Sequence, residues 1–349
     1  MESTRQPARL LRRDLQQIRV AVAGLGKMGT YHVRAIQQLA GGESEDYYKS
    51  ELGAQTCKLE LCGIYDPIAE KARDIAPELS VFENWAQLIE HARPDCVVIA
   101  SPTVTHFDLA KASLTAGVHT FIEKPLVTKL DEFRILNDIA VSQGCRLMSG
   151  HVERYNPAAI KLRTLLAEEK MEALSYRFQR TQSHDARIAD DIVTDKIIHD
   201  LDLAQYFFGA VTAFELLDFK TVKGQTQEAT VFLRHAGGVE GTLFVSWLLA
   251  DTRPCREVRI TCSDGMSVTA DFSGKELHLN DLLLSCDVPF WVKPDNNQIK
   301  DELADFVGYC LLPDPDLPGF EPLLQPAEIE ASTKIIEELL RKTNGGGNG

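Results

Sequence analysis

Two stretches of this chain hold residue types that can move a proton and steady charge on an oxygen. The first is Asp195-Lys-Ile-Ile-His199-Asp200-Leu201-Asp202. On a helix, Asp195 and His199 stand at i and i+4 and Asp202 at i+7, so the three share a face. Val193, Ile197, Leu201 and Ala204 fall on another face and supply its apolar side. A carboxylate one turn from an imidazole orients the ring, fixes its tautomer and stabilises its protonated form, as a general base for an alcohol requires. Taken alone, the same spacing also fits a capping acid on a solvated helix face. The second stretch is Thr120-Phe-Ile-Glu-Lys-Pro-Leu126. It reads as a buried strand, Val118 to Ile122, ending in a charged pair. Pro125 disfavours helix at Lys124 and donates no ladder hydrogen bond, so regular pairing should stop there. Lys124 is then left at the carboxyl edge of a sheet, where open α/β folds bind ligands.

Upstream lies the element that gives this lysine a neighbour. Ile18-Arg-Val-Ala-Val-Ala23 is a short β-branched run that feeds into Gly24-Leu-Gly26-Lys27-Met28-Gly29. A helix follows, with Met28, His32, Ile36 and Leu39 along one face. Strand, G-x-G-x-x-G and helix in that order predict a dinucleotide site. The first glycine makes the turn, the second lets a pyrophosphate approach the backbone, and the third lets helix and strand pack closely. The helix amides and dipole would hold the phosphates. A polar segment, Gly42 to Thr56, reads as an insertion before the strand Leu59–Tyr65, which ends at Asp66-Pro67. Asp66 should bind the adenosine ribose and repel a 2′-phosphate, which predicts NAD rather than NADP.

The pattern then alternates. Helix Trp85–His91 leads to strand Asp95–Ala100 and the loop Ser101-Pro102-Thr103-Val104-Thr105-His106, expected against the cofactor. Helix Asp108–Ala116, the Val118–Ile122 strand, helix Leu130–Gln143 and strand Cys145–Ser149 complete a doubly wound parallel sheet. After Gly209 strands follow one another without helices. Together with Ala173–Thr181 they are Ala213–Val222, Gln227–Arg234, Val239–Leu248, Glu257–Cys262 and Met266–Phe272, with a hairpin at Gly237-Gly238. This predicts an α+β domain with a large, open, mostly antiparallel sheet. Its uncovered face would bury against another copy in a homodimer or homotetramer. A helix over Glu328–Arg341 closes it. The expected division is a tail at 1–17, a Rossmann domain at 18–149, a substrate and oligomerisation domain at 150–342, and a tail at 343–349.

The bulk properties narrow the partners. A net charge of −14 argues against nucleic acid, and no apolar run approaches the length of a membrane helix. The eight cysteines lack metal-ligand spacing and read as reduced residues of a cytoplasmic protein, with no metal expected. The arginine-containing start has no hydrophobic segment of the signal-peptide kind.

These motifs, in this order over residues 18–342, resemble the Gfo/Idh/MocA family of NAD(P)-dependent oxidoreductases. The matching residues are Gly24, Gly26 and Gly29, Ser101-Pro102 with His106, Glu123-Lys124-Pro125, and Asp195, His199 and Asp202 in the family's D-x-G-x-H-x-x-D. Ile197 departs from it, standing where the family usually has glycine. The resemblance implies a cofactor set of Gly24, Gly26, Lys27, Met28, Gly29, Asp66, Ser101, Pro102, Thr103, His106, Glu123 and Lys124. It implies catalysis by Lys124, His199 and Asp195, with Lys124 meeting both substrate and nicotinamide. The segment Gly150-His151-Val152-Glu153-Arg154-Tyr155-Asn156-Pro157 resembles the subgroup that oxidises nucleotide-linked sugars. That adds Glu153, Arg154, Tyr155 and Asn156, beside Lys124, Asp195 and His199, to the substrate pocket. It makes the 3-hydroxyl of UDP-N-acetylglucosamine the expected target. Two readings stand against it: a free polyol, inositol or monosaccharide as substrate, and a sensor that binds NAD without turnover.

Overall fold

A computed structural model describes residues 17–40, 58–68, 70, 75, 77, 79–82, 84–168, 171–183, 190–249, 254–286, 297–311 and 324–345. The expected insertion at 42–56, and the tails up to residue 16 and from 346, lie outside the described residues. By contacts the chain divides into two compact units, residues 1–150 with 299–326, and residues 151–298 with 327–349.

The first unit is built on a six-stranded parallel sheet. Its strands are β1 (Gln17–Ala23), β2 (Lys58–Tyr65), β3 (Val81–Phe82), β4 (Cys96–Ile99), β5 (His119–Glu123) and β6 (Leu147–Gly150), in the order β3-β2-β1-β4-β5-β6. Every described pairing is parallel. β4 and β5 are buried at every position, as befits strands covered on both faces. The helices are α1 (Lys27–Gln38), α2 (Trp85–Ala92), α3 (His106–Thr115) and α4 (Leu130–Gln143). Asn84 caps α2 by accepting from the amides of Ala86 and Gln87, and Gly144 ends α4 in the left-handed conformation. The reversal of strand order between β1 and β4 puts a crevice at the carboxyl ends of these strands.

The second unit carries an eight-stranded sheet: β7 (Ala173–Thr181), β8 (Val211–Val222), β9 (Gln225–His235), β10 (Glu240–Ser246), β11 (Cys255–Cys262), β12 (Ser267–Asp271), β13 (Glu276–Leu279) and β14 (Leu282–Leu284). Their order is β14-β13-β12-β11-β7-β10-β9-β8. The described pairs are antiparallel except β10 with β7. Helices α5 (Pro157–Glu168), α6 (Ile198–Phe208) and α8 (Pro326–Gly345) contribute Leu162, Leu201, Phe207, Ile336 and Leu339 to one core with the inward residues Val231, Leu243, Val258 and Ile260. Burying each such side chain contributes roughly 1.5–3 kcal/mol. On the other face Phe232 and Phe244 stay half-buried and Arg177 and Arg259 exposed. The expected hairpin turns at Gly238, where φ is 85°.

Four features depart from expectation. β13 and β14 extend the second sheet, through short strands lacking a long alternating pattern. Helix α7 (Gln298–Leu311), almost all of it in the first unit, interrupts the expected 150–342 domain. Its Phe306 ring packs 5.6 Å from that of Phe121, and Arg146 donates to the Tyr309 carbonyl at 3.3 Å. Residues 343–345, expected in a tail, belong to α8, and Gly150 falls in the first unit. No described helix is long and apolar enough to cross a membrane.

Candidate active site

The glycine turn of the first unit is shaped by what it excludes. Gly24 has φ of 89°, donates to the Tyr65 carbonyl at 2.8 Å, and would place a Cβ 2.6 Å from the Ser101 backbone. A Cβ on Gly29 would lie 1.8 Å from the Gly24 carbonyl oxygen, so only glycine lets α1 pack on the turn. Gly26 differs. It is exposed, and a Cβ there would meet nothing within 4 Å, so no protein atom fills the open side of the turn and a pyrophosphate has room to approach. No side chain caps α1, whose first amides are therefore offered to an anion. Asp66 is buried, accepting from Leu25 N at 2.7 Å and Ile68 N at 2.8 Å. Each carboxylate oxygen keeps a second lone pair for a ribose hydroxyl. These residues fit a dinucleotide. Lys27 is exposed beside them and Met28 half-buried.

Two residues of the expected cofactor set turn inward. The His106 side chain is buried, with Nδ1 2.9 Å from the Pro125 carbonyl and Nε2 2.8 Å from the Ser101 carbonyl. It fastens the Ser101 loop to the turn after Lys124. In that loop Ser101 Oγ lies 2.6 Å from Thr105 Oγ1, Pro102 is exposed and Thr103 half-buried. Glu123 is the second. Its Oε1 lies 2.6 Å from His32 Nε2, and its Oε2 accepts from Lys124 N at 3.2 Å. Burial alone would push this carboxyl up, but the His32 imidazole and the Lys124 ammonium outweigh it and hold the group below its ordinary value. Lys124 itself is half-buried, and the bond to Pro125 is cis.

In the second unit Asp195 and His199 stand where helix geometry changes. A π-helical turn, Val193–Ile197, runs directly into α6. Such wide turns are rare and frequent at functional sites. Asp191 fixes the approach, accepting from Val193 N and Thr226 N, each at 3.0 Å, while Asp195 N donates to its carbonyl at 2.9 Å. Asp195 is half-buried and pairs with Lys196 at 3.2 Å; His199 is 8% exposed. Ile197, in the place of the family's glycine, is part of the apolar core.

Asp202, expected on the same face as Asp195 and His199, has buried partners of its own. Asp202 is 1% exposed, accepts from Arg154 Nε at 3.0 Å and Nη2 at 2.8 Å, and lies 3.4 Å from His151 Nδ1. Burial pushes its carboxyl up, yet Arg154 and His151 bring it down to about 2. Arg154, expected on substrate oxygens, is likewise 1% exposed and also reaches Glu328 at 3.0 Å, with its guanidinium 5.0 Å from the Tyr206 ring centre. Asn156 caps α5 through the Ala158 amide at 3.0 Å and donates to the Phe272 carbonyl at 2.9 Å. Tyr155 is buried, and Glu153 pairs with Arg256 and lies 3.8 Å from Arg180 Nη1. The segment from His151 to Pro157 thus braces α5 and α6. Arg180, which grips Asp200 at 2.9 Å, and Arg256 were not singled out by sequence reasoning. Neither follows a motif, and strand alternation alone would have put apolar residues at both positions.

Two sequence models of one family match side by side. An NAD-binding Rossmann domain of the oxidoreductase family covers residues 18–151, and the family's C-terminal domain covers 170–268. The chain belongs to the Gfo/Idh/MocA family. Its first unit is the family's NAD-binding domain, and NAD is the cofactor. The UDP-N-acetylglucosamine 3-dehydrogenase of Acidithiobacillus ferrooxidans is 29% identical over 268 residues, 75% of this chain and 76% of that one. The scyllo-inositol 2-dehydrogenase (NAD(+)) of Bacillus subtilis is 30% identical over 204 residues, 56% of this chain and 55% of that one. A solved structure of the Acidithiobacillus enzyme superposes with a TM-score of 0.74 at 24% identity, covering 92% of this chain and 96% of that one. A levoglucosan dehydrogenase with NADH gives 0.79 at 18% identity, over 95% and 98%, a likeness of fold.

Proposed function

We propose that this oxidoreductase uses NAD to oxidise a secondary hydroxyl of a nucleotide-linked amino sugar, converting UDP-N-acetylglucosamine to its 3-keto form. One observation carries the choice of substrate. The UDP-N-acetylglucosamine 3-dehydrogenase aligns over three-quarters of both chains, whereas the inositol dehydrogenase aligns over about half of each. In this mechanism Lys124 steadies negative charge growing on the substrate oxygen. His199, oriented by Asp195, takes the hydroxyl proton. The carbon–hydrogen bond breaks with its electron pair, a C=O bond forms, and NAD, when bound, supplies the acceptor for that hydride. The open face of the second sheet, with Phe232 and Phe244, is the surface we assign to a second copy of the chain.

The test is absorbance at the NADH wavelength with purified protein, NAD and a panel of UDP-N-acetylglucosamine, other UDP-sugars, inositols and free sugars. A keto-consuming aminotransferase with glutamate draws the equilibrium forward. Signal with UDP-N-acetylglucosamine and none with free sugars supports the reading. The 30% identity to the inositol enzyme favours a second reading, a free polyol as substrate, which activity on inositols alone would select.

A further inference from the structure

We propose that His32 is a positioning residue for Lys124, acting through Glu123 and linking the helix that receives the cofactor phosphates to the turn that carries the lysine. The inference rests on the reading that Lys124 works on the substrate oxygen. His32 lies on α1, in the turn after Gly29, and is fully buried. Phe121 and Glu123 are two apart on β5 and so point to the same face of the sheet. The His32 ring stands edge-on to Phe121, with centroids 5.4 Å apart, and its Nε2 meets Glu123 at 2.6 Å. With Glu123 ionised the carboxylate only accepts, so Nε2 carries the proton of this bond. The other carboxylate oxygen receives the backbone N–H of Lys124.

The surroundings are cut to hold this carboxylate. β6 passes Glu123 at Gly150, where a Cβ would come within 3.2 Å of Oε2 and 3.0 Å of the Phe121 ring. His32 Nδ1 is buried without a hydrogen-bond partner among the described residues. An unsatisfied buried nitrogen is unfavourable, and a leucine on this apolar helix face would fill the space without it. Packing therefore does not account for the histidine, whereas holding Glu123 does. The chain of bonds runs from α1 through His32 and Glu123 to the Lys124 amide, so the seat of the cofactor and the position of the lysine are set by one rigid connection.

The experiment compares His32→Leu, which removes the donor, with His32→Gln, whose amide nitrogen reaches the place of Nε2. Three quantities are read: hydrogen exchange at the Lys124 amide, the Kd for NADH by fluorescence, and kcat with UDP-N-acetylglucosamine. For His32→Leu we expect Lys124 exchange to quicken about tenfold, kcat to fall about 10- to 100-fold and the NADH Kd to stay within about threefold, the scale of a lost charge-assisted hydrogen bond. His32→Gln should restore exchange and kcat to within about threefold. Unchanged Lys124 exchange in His32→Leu, or equal losses in both variants, would overturn the proposal. Should His32→Leu fail to fold, Glu123→Met removes the acceptor of both hydrogen bonds and must give the faster exchange. Lys124→Ala is measured alongside. Normal turnover there removes the lysine from the mechanism, while the exchange data still decide whether His32 holds the turn.

Discussion

Changing Asp202 to asparagine takes one charge from an ion pair that the fold has withdrawn from water. Asp202 and Arg154 are each 1% exposed, and the guanidinium would be left with Glu328, whose side chain is 28% exposed. Leaving one buried partner uncompensated costs about 3–5 kcal/mol. A second route gives a lower figure for protonation alone. The carboxyl is brought from 3.8 to about 2, which at about 1.4 kcal/mol per pKa unit is about 2 kcal/mol. Because the folded value is the depressed one, this stability is present above pH 4 and lost as pH falls from about 4 to about 2. Urea unfolding at pH 7 should place Asp202→Asn about 3 kcal/mol below the parent, and the gap should narrow as the parent is acidified through that window. Asp195→Asn should behave in the opposite sense, holding stability within about 1 kcal/mol while lowering kcat roughly 100-fold. A stability loss under 1 kcal/mol for Asp202→Asn, or a gap unchanged by acid, would refute the reasoning.

His119 is buried on β5, and burial, with Arg146 next to it, pulls its pKa from 6.5 to about 4. A depressed folded value means stability that is full above pH 6.5 and declines toward pH 4, by about 3 kcal/mol in all. His119→Asn, which keeps an acceptor for the Arg146 amide, should flatten the unfolding free energy between pH 7 and 5; an unchanged slope would count against it. Gly26→Ala should fold with Tm within about 2 °C of the parent, since its Cβ meets no protein atom, yet weaken NAD about tenfold or more in calorimetric titration. Gly29→Ala, colliding with the Gly24 carbonyl, should lower Tm as well, so equal Tm values for the two would contradict the packing argument.

Local signals made most of the fold legible. The β-branched run before Gly24 gave β1, and α4 begins and ends at the expected residues because Gly144 stops it in the left-handed conformation. β7 likewise has the expected bounds, Ala173–Thr181. Helix α7 escaped because its association with the first sheet depends on contacts far along the chain, such as Phe306 with Phe121. At the site, glycine spacing was informative since each glycine answers a local steric demand. Polar side chains were not. Arg154 and Asn156 look the same in sequence whether they meet a ligand or a buried partner, and here Asp202 and the α5 amide claim them. His32 was read as a member of an apolar helix face, its partner Glu123 lying too far off in sequence for any periodicity to join them.

The most direct test of the account follows the hydride itself. UDP-N-acetylglucosamine deuterated at carbon 3 is incubated with the protein and NAD, and the reduced cofactor is weighed by mass spectrometry. The account predicts NADH heavier by one deuterium, with the label absent when Lys124→Ala or His199→Ala replaces the parent. Unlabelled NADH from that substrate, or none from it while an inositol reduces NAD, would contradict the assignment of this hydroxyl to this site.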